Sequence, residues 1–321
     1  MLSRRALLGP LLVAPCAAPF AAPVAVHAQA PLNVVATTGM IADAVRNIAG
    51  DLAQVTALMG PGVDPHSYRQ TRSDIAAMTR ADLVLWNGLY LEAQLEEFLH
   101  TLARRVPVVA VGDSAPSDYL LRHAEYQGRP DPHLWMAPRL WRYVVEGIRD
   151  ALHAQRPEAA FTAQAAAYLA QVQAVDDYAR AVLTTVPESA RVLVTAHDAF
   201  GYFGRDYGFE VLGVQGISTQ SEAGLSRIAE LVDTLVQRQI RAVFVESSVS
   251  DRNLRALIEG AAAQGHTVQI GGELFSDAMG TPGTYEGTYL GMIDHNATTI
   301  ARALGGTAPE TGMAGKLRGG A

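Results

Sequence analysis

The chain has 321 residues, 49% of them hydrophobic and 18% charged, which supplies material for buried cores and excludes a globally disordered polypeptide. A formal charge of −7 argues against a nucleic-acid binder held by phosphate contacts. One Cys excludes both a disulfide framework and a cysteine-based zinc finger. At about 150 residues per domain, the length predicts two domains.

Residues 1–30 read as a cleavable secretory signal peptide. Arg4 and Arg5 give the positive start, Ala6 to Val26 the apolar stretch, and Ala28-Gln29-Ala30 the cleavage site. Prolines at 10, 15, 19 and 23 fit a transmembrane anchor poorly. Ser3-Arg4-Arg5 partly matches a twin-arginine export signal. Val13-Ala14-Pro15 before Cys16 fits a lipoprotein signal badly. The segment carries two Arg and no acid, so its removal takes the charge from −7 to −9. No other segment reaches the ~18 consecutive apolar residues of a membrane span. The expected product is a soluble protein outside the cytoplasm, which for a bacterial leader of this type means the periplasm.

The rest alternates strands with helices. Strands are predicted at 32–38, 53–58, 82–87 and 107–111, with helices through Ile48, near 72–80 and near 91–104. The rhythm returns with strands at 191–196, 209–214, 241–246 and 267–270 and helices near 199–206, 221–238, 251–263 and 287–303. Such alternation implies parallel sheets covered on both faces. Between the halves, Glu158 to Thr185 holds no Gly or Pro and is bracketed by Pro157 and Pro187. It reads as one stiff helix of roughly 42 Å. The expectation is an α/β fold of two lobes, each a parallel β-sheet flanked by helices, joined by one long rigid helix. Its boundaries would be 31–156 for the N-terminal lobe, 157–187 for the linking helix and 188–304 for the C-terminal lobe. Residues 305–321, rich in Gly, read as a flexible tail.

Four polar residues fall where strands give way to loops. His66 lies in Gly62-Val63-Asp64-Pro65-His66 after the second strand, and His133 lies in Asp131-Pro132-His133 before a helix. His197 follows the strand Val192-Leu193-Val194-Thr195-Ala196, and Asp277 lies past the last strand. Ligand groups gather at the carboxyl ends of strands in open α/β sheets, so two positions per lobe would meet in one cleft. Three neutral imidazoles and one carboxylate suit a borderline divalent cation such as zinc, manganese or ferrous iron, giving a formal charge of +1 with the metal. On the residues alone, Asp277 serves equally well as a helix cap, and an isolated histidine is more often structural or solvated. His100, His123, His153, His266 and His295 have no special context.

These segments resemble the metal-binding receptors (solute-binding proteins) of bacterial zinc and manganese ABC importers, the TroA-like cluster A-I. The resemblance runs from Val34 to Leu304. It is carried by Val35-Ala36-Thr37-Thr38-Gly39-Met40-Ile41, Gly62-Val63-Asp64-Pro65-His66-Ser67-Tyr68, Ala81-Asp82-Leu83-Val84-Leu85-Trp86-Asn87-Gly88 and Asp131-Pro132-His133-Leu134-Trp135-Met136. Ala196-His197-Asp198-Ala199-Phe200-Gly201-Tyr202-Phe203, Gly216-Ile217-Ser218-Thr219, Phe244-Val245-Glu246-Ser247-Ser248 and Leu274-Phe275-Ser276-Asp277 complete it. The resemblance implies that His66, His133, His197 and Asp277 bind the metal. It also implies a monomeric, non-enzymatic receptor that hands its metal to a membrane ABC permease. His197 at the third ligand position favours zinc, whereas manganese carriers often have Glu there. The short stretch from Gly112 to Asp131, without a His- and acid-rich loop, keeps manganese as the second choice.

Asp64, Asp131, Asp198 and Glu246 are candidates to orient the histidines, and Glu222 reads as a helix start. A helical spine limits lobe closure, so release is expected through loop motion at one lobe. Metal affinity should fall as pH drops through roughly 6.5. The competing functions are a secreted zinc hydrolase and a metal-binding adhesin. Neither H-E-x-x-H nor a G-x-S-x-G elbow supports the first, four protein ligands would close the site to water, and no adhesive repeat supports the second.

Overall fold

The structure is a computed structural model and describes residues 30–123 and 126–317; the signal peptide expected at 1–30, with Cys16, lies outside the described residues but for Ala30. Strands β1 (Leu32–Ala36), β2 (Ala53–Ala57), β3 (Leu83–Trp86) and β4 (Val108–Ala110) form one parallel sheet in the order β2-β1-β3-β4. Strands β5 (Val192–His197), β6 (Glu210–Gln215), β7 (Ala242–Glu246) and β8 (Gln269–Leu274) form a second in the equivalent order β6-β5-β7-β8. Val34 lies opposite Val55 and Leu83, and Thr195 lies opposite Gly213 and Phe244. In each sheet the chain leaves the first strand to one side and later returns to the other. That reversal opens a crevice beyond the strand ends, where ligands of open α/β sheets bind.

Nine helices surround the sheets among the described residues: α1 (Gly39–Ala49), α2 (Arg72–Thr79), α3 (Glu96–Leu102), α4 (Pro138–Gln155), α5 (Ala159–Leu183), α6 (Gly201–Tyr207), α7 (Leu225–Gln237), α8 (Arg252–Ala263) and α9 (Tyr289–Ala303). Local chemistry sets several starts. Thr38 caps α1 by accepting the Ile41 N–H, Thr288 caps α9 by accepting the Gly291 N–H, and Thr71 with Asp74 forms a reciprocal capping box on α2. Pro138 opens α4, where its missing N–H costs nothing.

The long helix α5 has 25 residues, a length of about 37 Å. It is packed against α1, α4 and α9 rather than spanning a gap. One apolar core therefore runs through both halves and includes Val34, Ile48, Trp141, Phe161, Tyr168, Leu193, Phe244 and Ile300. Within it the rings of Trp141 and Tyr289 stack at 5.1 Å. Smaller cores fill the outer faces, one around Met78, Val84 and Leu99 and the other around Val194, Leu231 and Leu254. Asp43 of α1, itself buried, accepts hydrogen bonds from the Tyr289 N–H at 3.0 Å and the Tyr168 hydroxyl at 3.3 Å. That clasp joins α1, α5 and α9.

Some elements differ from the sequence reading. The strand predicted at 267–270 is β8, which runs to Leu274 through Gly271-Gly272. Those glycines mark crowding, not a stop: a Cβ on Gly271 would meet Phe244 at 2.9 Å, and one on Gly272 would meet Thr299 at 2.5 Å. The helix predicted near 91–104 starts at Glu96, after a turn in which Leu89 and Tyr90 take positive φ. Glu222 does not start a helix; it accepts a hydrogen bond from Asn253 in the loop before α7. The tail expected to be flexible is tied down over 305–317. Leu317 is buried, and buried Asp294 accepts the N–H groups of Met313 and Ala314. Among the described residues, no helix is long and apolar enough to cross a membrane.

Candidate metal centre

Both Asp-Pro-His segments fold the same way. Asp64 accepts the backbone N–H of His66 at 2.8 Å, and Asp131 accepts that of His133 at 3.0 Å. Proline has no N–H to offer, so each aspartate closes its turn on the histidine two residues on. The first segment lies in the loop between β2 and α2. The second leads into a short 3-10 turn, Leu134–Met136. There the Trp135 indole N–H reaches across to the Ser276 carbonyl at 2.7 Å, beside Asp277. His197 is the last residue of β5, and Glu246 is the last of the neighbouring β7.

These elements bring all four predicted residues together. One ligand atom from each of His66, His133, His197 and Asp277 lies within 4.8 Å of the others. Asp277 oxygens stand 3.6 Å from His66 Nε2, 3.4 Å from His133 Nε2 and 3.2 Å from His197 Nε2. All four side chains are buried, at 3% exposure or less. Both Asp277 oxygens and His197 Nε2 find no hydrogen-bond partner among the described residues. Burying such atoms unpaired is costly, and a cation at the centre would satisfy them together.

Two histidines are oriented from behind by carboxylates. His133 Nδ1 stands 2.7 Å from Asp131 Oδ1, and His197 Nδ1 stands 2.6 Å from Glu246 Oε2. Each carboxylate favours the tautomer with the proton on Nδ1, which aims the Nε2 lone pair inward. Asp131 and Glu246 thus fill the orienting role for which four acids were candidates. Asp64 holds the backbone of His66, and among the described residues no hydrogen bond joins the Asp198 carboxylate to a histidine ring. His66 Nδ1 is buried and finds no hydrogen-bond partner among the described residues.

The electrostatics divide the histidines. Burial pushes His66 down to about 4, only partly offset by Asp277. Burial also acts against the charged form of His197, but Glu246 and Asp277 outweigh it and hold this imidazole well above its ordinary value. Burial opposes ionisation of Asp277, yet the surrounding histidines, His197 foremost, keep it below the usual carboxylate range. Asp277 and Glu246 thus favour the charged form of His197, and His197 in turn favours the ionised form of Asp277.

Three polar residues without an assigned role also shape the site. Glu92, wholly buried, accepts the Thr37 hydroxyl at 2.6 Å and the N–H groups of Asn87 at 2.8 Å and Gly88 at 3.1 Å. It cross-links the carboxyl ends of β1 and β3. The Asn87 amide then donates to the Pro132 carbonyl at 3.2 Å, next to His133. Asn87 falls in a segment singled out in the sequence, whereas nothing around Glu92 distinguishes it from an ordinary acidic residue at a helix start.

The sequence model of the family "zinc-uptake complex component A, periplasmic" (ZnuA) matches residues 34–303. The chain is 48% identical over 276 residues to the manganese-binding lipoprotein MntA of Bacillus subtilis (strain 168), covering 85% of this chain and 90% of that one. It is 48% identical over 273 residues to the zinc-binding protein TroA of Treponema pallidum (strain Nichols), covering 84% and 88%. A solved structure of the periplasmic zinc-binding protein TroA from Treponema pallidum superposes with a TM-score of 0.83 at 47% identity, over 85% of this chain and 99% of that one.

Proposed function

The chain belongs to the periplasmic zinc-uptake complex component A family, and we propose that it captures a divalent transition metal outside the cytoplasm and delivers it to a membrane ABC permease. The observation that carries this reading is the convergence of three imidazoles and one carboxylate in a buried cluster. His66, His133, His197 and Asp277 are the ligands in this reading, each through the atom turned to the centre. A monodentate Asp277 gives four-coordination, and a bidentate one gives the higher coordination that manganese accepts.

Zinc is the favoured cargo, because three nitrogen donors suit it and the third position is His197. Manganese is the second reading, and a specific observation supports it: relatives named for each metal are equally similar to this chain. The site serves binding rather than hydrolysis, because four protein ligands leave no open position for an activated water. The protein would act as a monomer in the periplasm, after removal of residues 1–30.

Metal content and competitive binding on residues 31–321, wild type against His197→Ala, test the assignment. One zinc per chain, weakened by the substitution and outcompeting manganese, is the expected result. Manganese bound as tightly, or kept by the variant, would move the cargo to manganese. No metal in either protein would overturn the four-ligand site.

A further inference from the structure

The three histidines are not held alike. His197 ends a central strand and His133 sits over the 3-10 turn anchored by Trp135, and each has its ring fixed by a carboxylate. His66 has neither support. Its loop, between Ala57 and Arg72, holds no regular element, and among the described residues no hydrogen bond fixes its ring from behind.

The flanks of that loop are held by its own half, through the Leu58 and Met59 N–H groups and the Tyr68 hydroxyl on Asp74, whereas the stretch at His66 is also tied to the other sheet. Thr219 and Gln220 lie in the stretch between β6 and α7, residues 216–224, which has no helix or strand. The Thr219 hydroxyl donates to Asp64 Oδ2 at 2.6 Å, and the Gln220 amide donates to the His66 carbonyl at 2.7 Å. Asp64 in turn grips the His66 N–H through Oδ1 and the Ser67 hydroxyl through Oδ2. Both peptide groups of His66 are thus tied, directly or through Asp64, to two adjacent side chains of the C-terminal half. The shared core holds the two sheets together, whereas these two loops meet through side-chain hydrogen bonds.

We propose that Thr219 and Gln220 are positioning residues that latch the His66 loop closed and set the rate at which bound metal leaves. The proposal rests on the metal-capture reading above. When the latch is made, His66 Nε2 stays at the centre. When it breaks, His66 swings away with its loop and leaves a three-ligand site of His133, His197 and Asp277. Neither residue touches the metal, so the latch acts through the geometry of His66 alone.

The test is release of zinc from the loaded protein into excess chelator, followed by stopped flow. Thr219→Val removes the hydroxyl at constant shape, and Gln220→Ala removes the amide. Loss of a hydrogen bond to a charged acceptor predicts release on the order of ten-fold faster in Thr219→Val, and a smaller increase is expected in Gln220→Ala. Thr219→Ser restores the hydroxyl and should restore the wild-type rate. Ser221→Ala, on the same loop with its side chain outside the latch, should leave the rate unchanged. The melting temperature of each metal-free variant should fall by no more than about 5 °C, which separates a latch from general destabilisation. Loaded wild type and Thr219→Val releasing at the same rate would overturn the latch alone. A wild-type protein that retains neither zinc nor manganese would overturn the capture reading, and the latch with it.

Discussion

Glu246 grips His197 twice: one carboxylate oxygen takes the backbone N–H at 2.8 Å, and the other faces ring Nδ1 at 2.6 Å. The two residues end adjacent parallel strands, so the sheet itself sets their separation. A Glu246→Gln substitution keeps the shape and removes the charge that favours the inward-facing lone pair. Metal affinity should fall by about 10- to 100-fold, with the far-ultraviolet circular dichroism unchanged. Competition titration against a chromophoric chelator reads the loss, and an affinity equal to wild type would show that Glu246 has no part in orienting the ring.

Metal binding should release a proton from His197. Its imidazole is held above the ordinary value by Glu246 and Asp277, acting against burial, which favours the charged ring at neutral pH before metal binds. A metal on Nε2 must displace that proton, and affinity therefore rises with pH up to the raised value and falls below it. His66, pushed down to about 4 by burial, is already neutral there and contributes no proton. Calorimetry in buffers of different ionisation heat should detect this proton in the wild type. The same proton should persist in His66→Ala and be lost in His197→Ala. A wild type that releases none would contradict the charge balance described for the centre.

Trp141→Ala should cost about 3–5 kcal/mol, the range for deleting a large buried aromatic. Its ring stacks on Tyr289 in the core common to both sheets. Urea unfolding of the wild type should accordingly show one transition by both fluorescence and circular dichroism. Two separate transitions would mean that the sheets unfold independently.

Glu92→Ala would strand three donors that now converge on one carboxylate. The expected loss is about 3 kcal/mol, together with weaker metal binding through the Asn87–Pro132 link. Glu96→Ala, in the first turn of α3, should stay within about 0.5 kcal/mol. Equal melting temperatures for the two variants would remove Glu92 from the account of how His133 is placed.

The alternation of strands and helices was legible because buried parallel strands leave continuous apolar runs, as in Val192 to Ala196. The four clustered residues stood out because they follow those runs or the Asp-Pro turns. The strand predicted to stop at 270 continues through Gly271-Gly272, since a crowded strand interior calls for glycine as much as a loop does. The packed setting of α5 was hidden, because its Ala-rich sequence fits a free-standing spine as well as a helix wrapped by three others. Glu92 and the Thr219–Gln220 contacts were equally hidden: each depends on partners far away in sequence, such as Thr37 for Glu92 and Asp64 for Thr219. The tail misled as well, since only the fold places Asp294 beneath Met313.

The four clustered side chains come from residues 66, 133, 197 and 277, two from each half of the chain, so no short stretch holds more than one of them. During synthesis or refolding, the centre is completed only when the last strand of the second sheet has docked. A partly folded chain presents scattered histidines of ordinary, weak affinity. Capture thus reports that both sheets have assembled, and a chain cut just before Asp277 would carry most of the scaffold without the carboxylate that closes the centre.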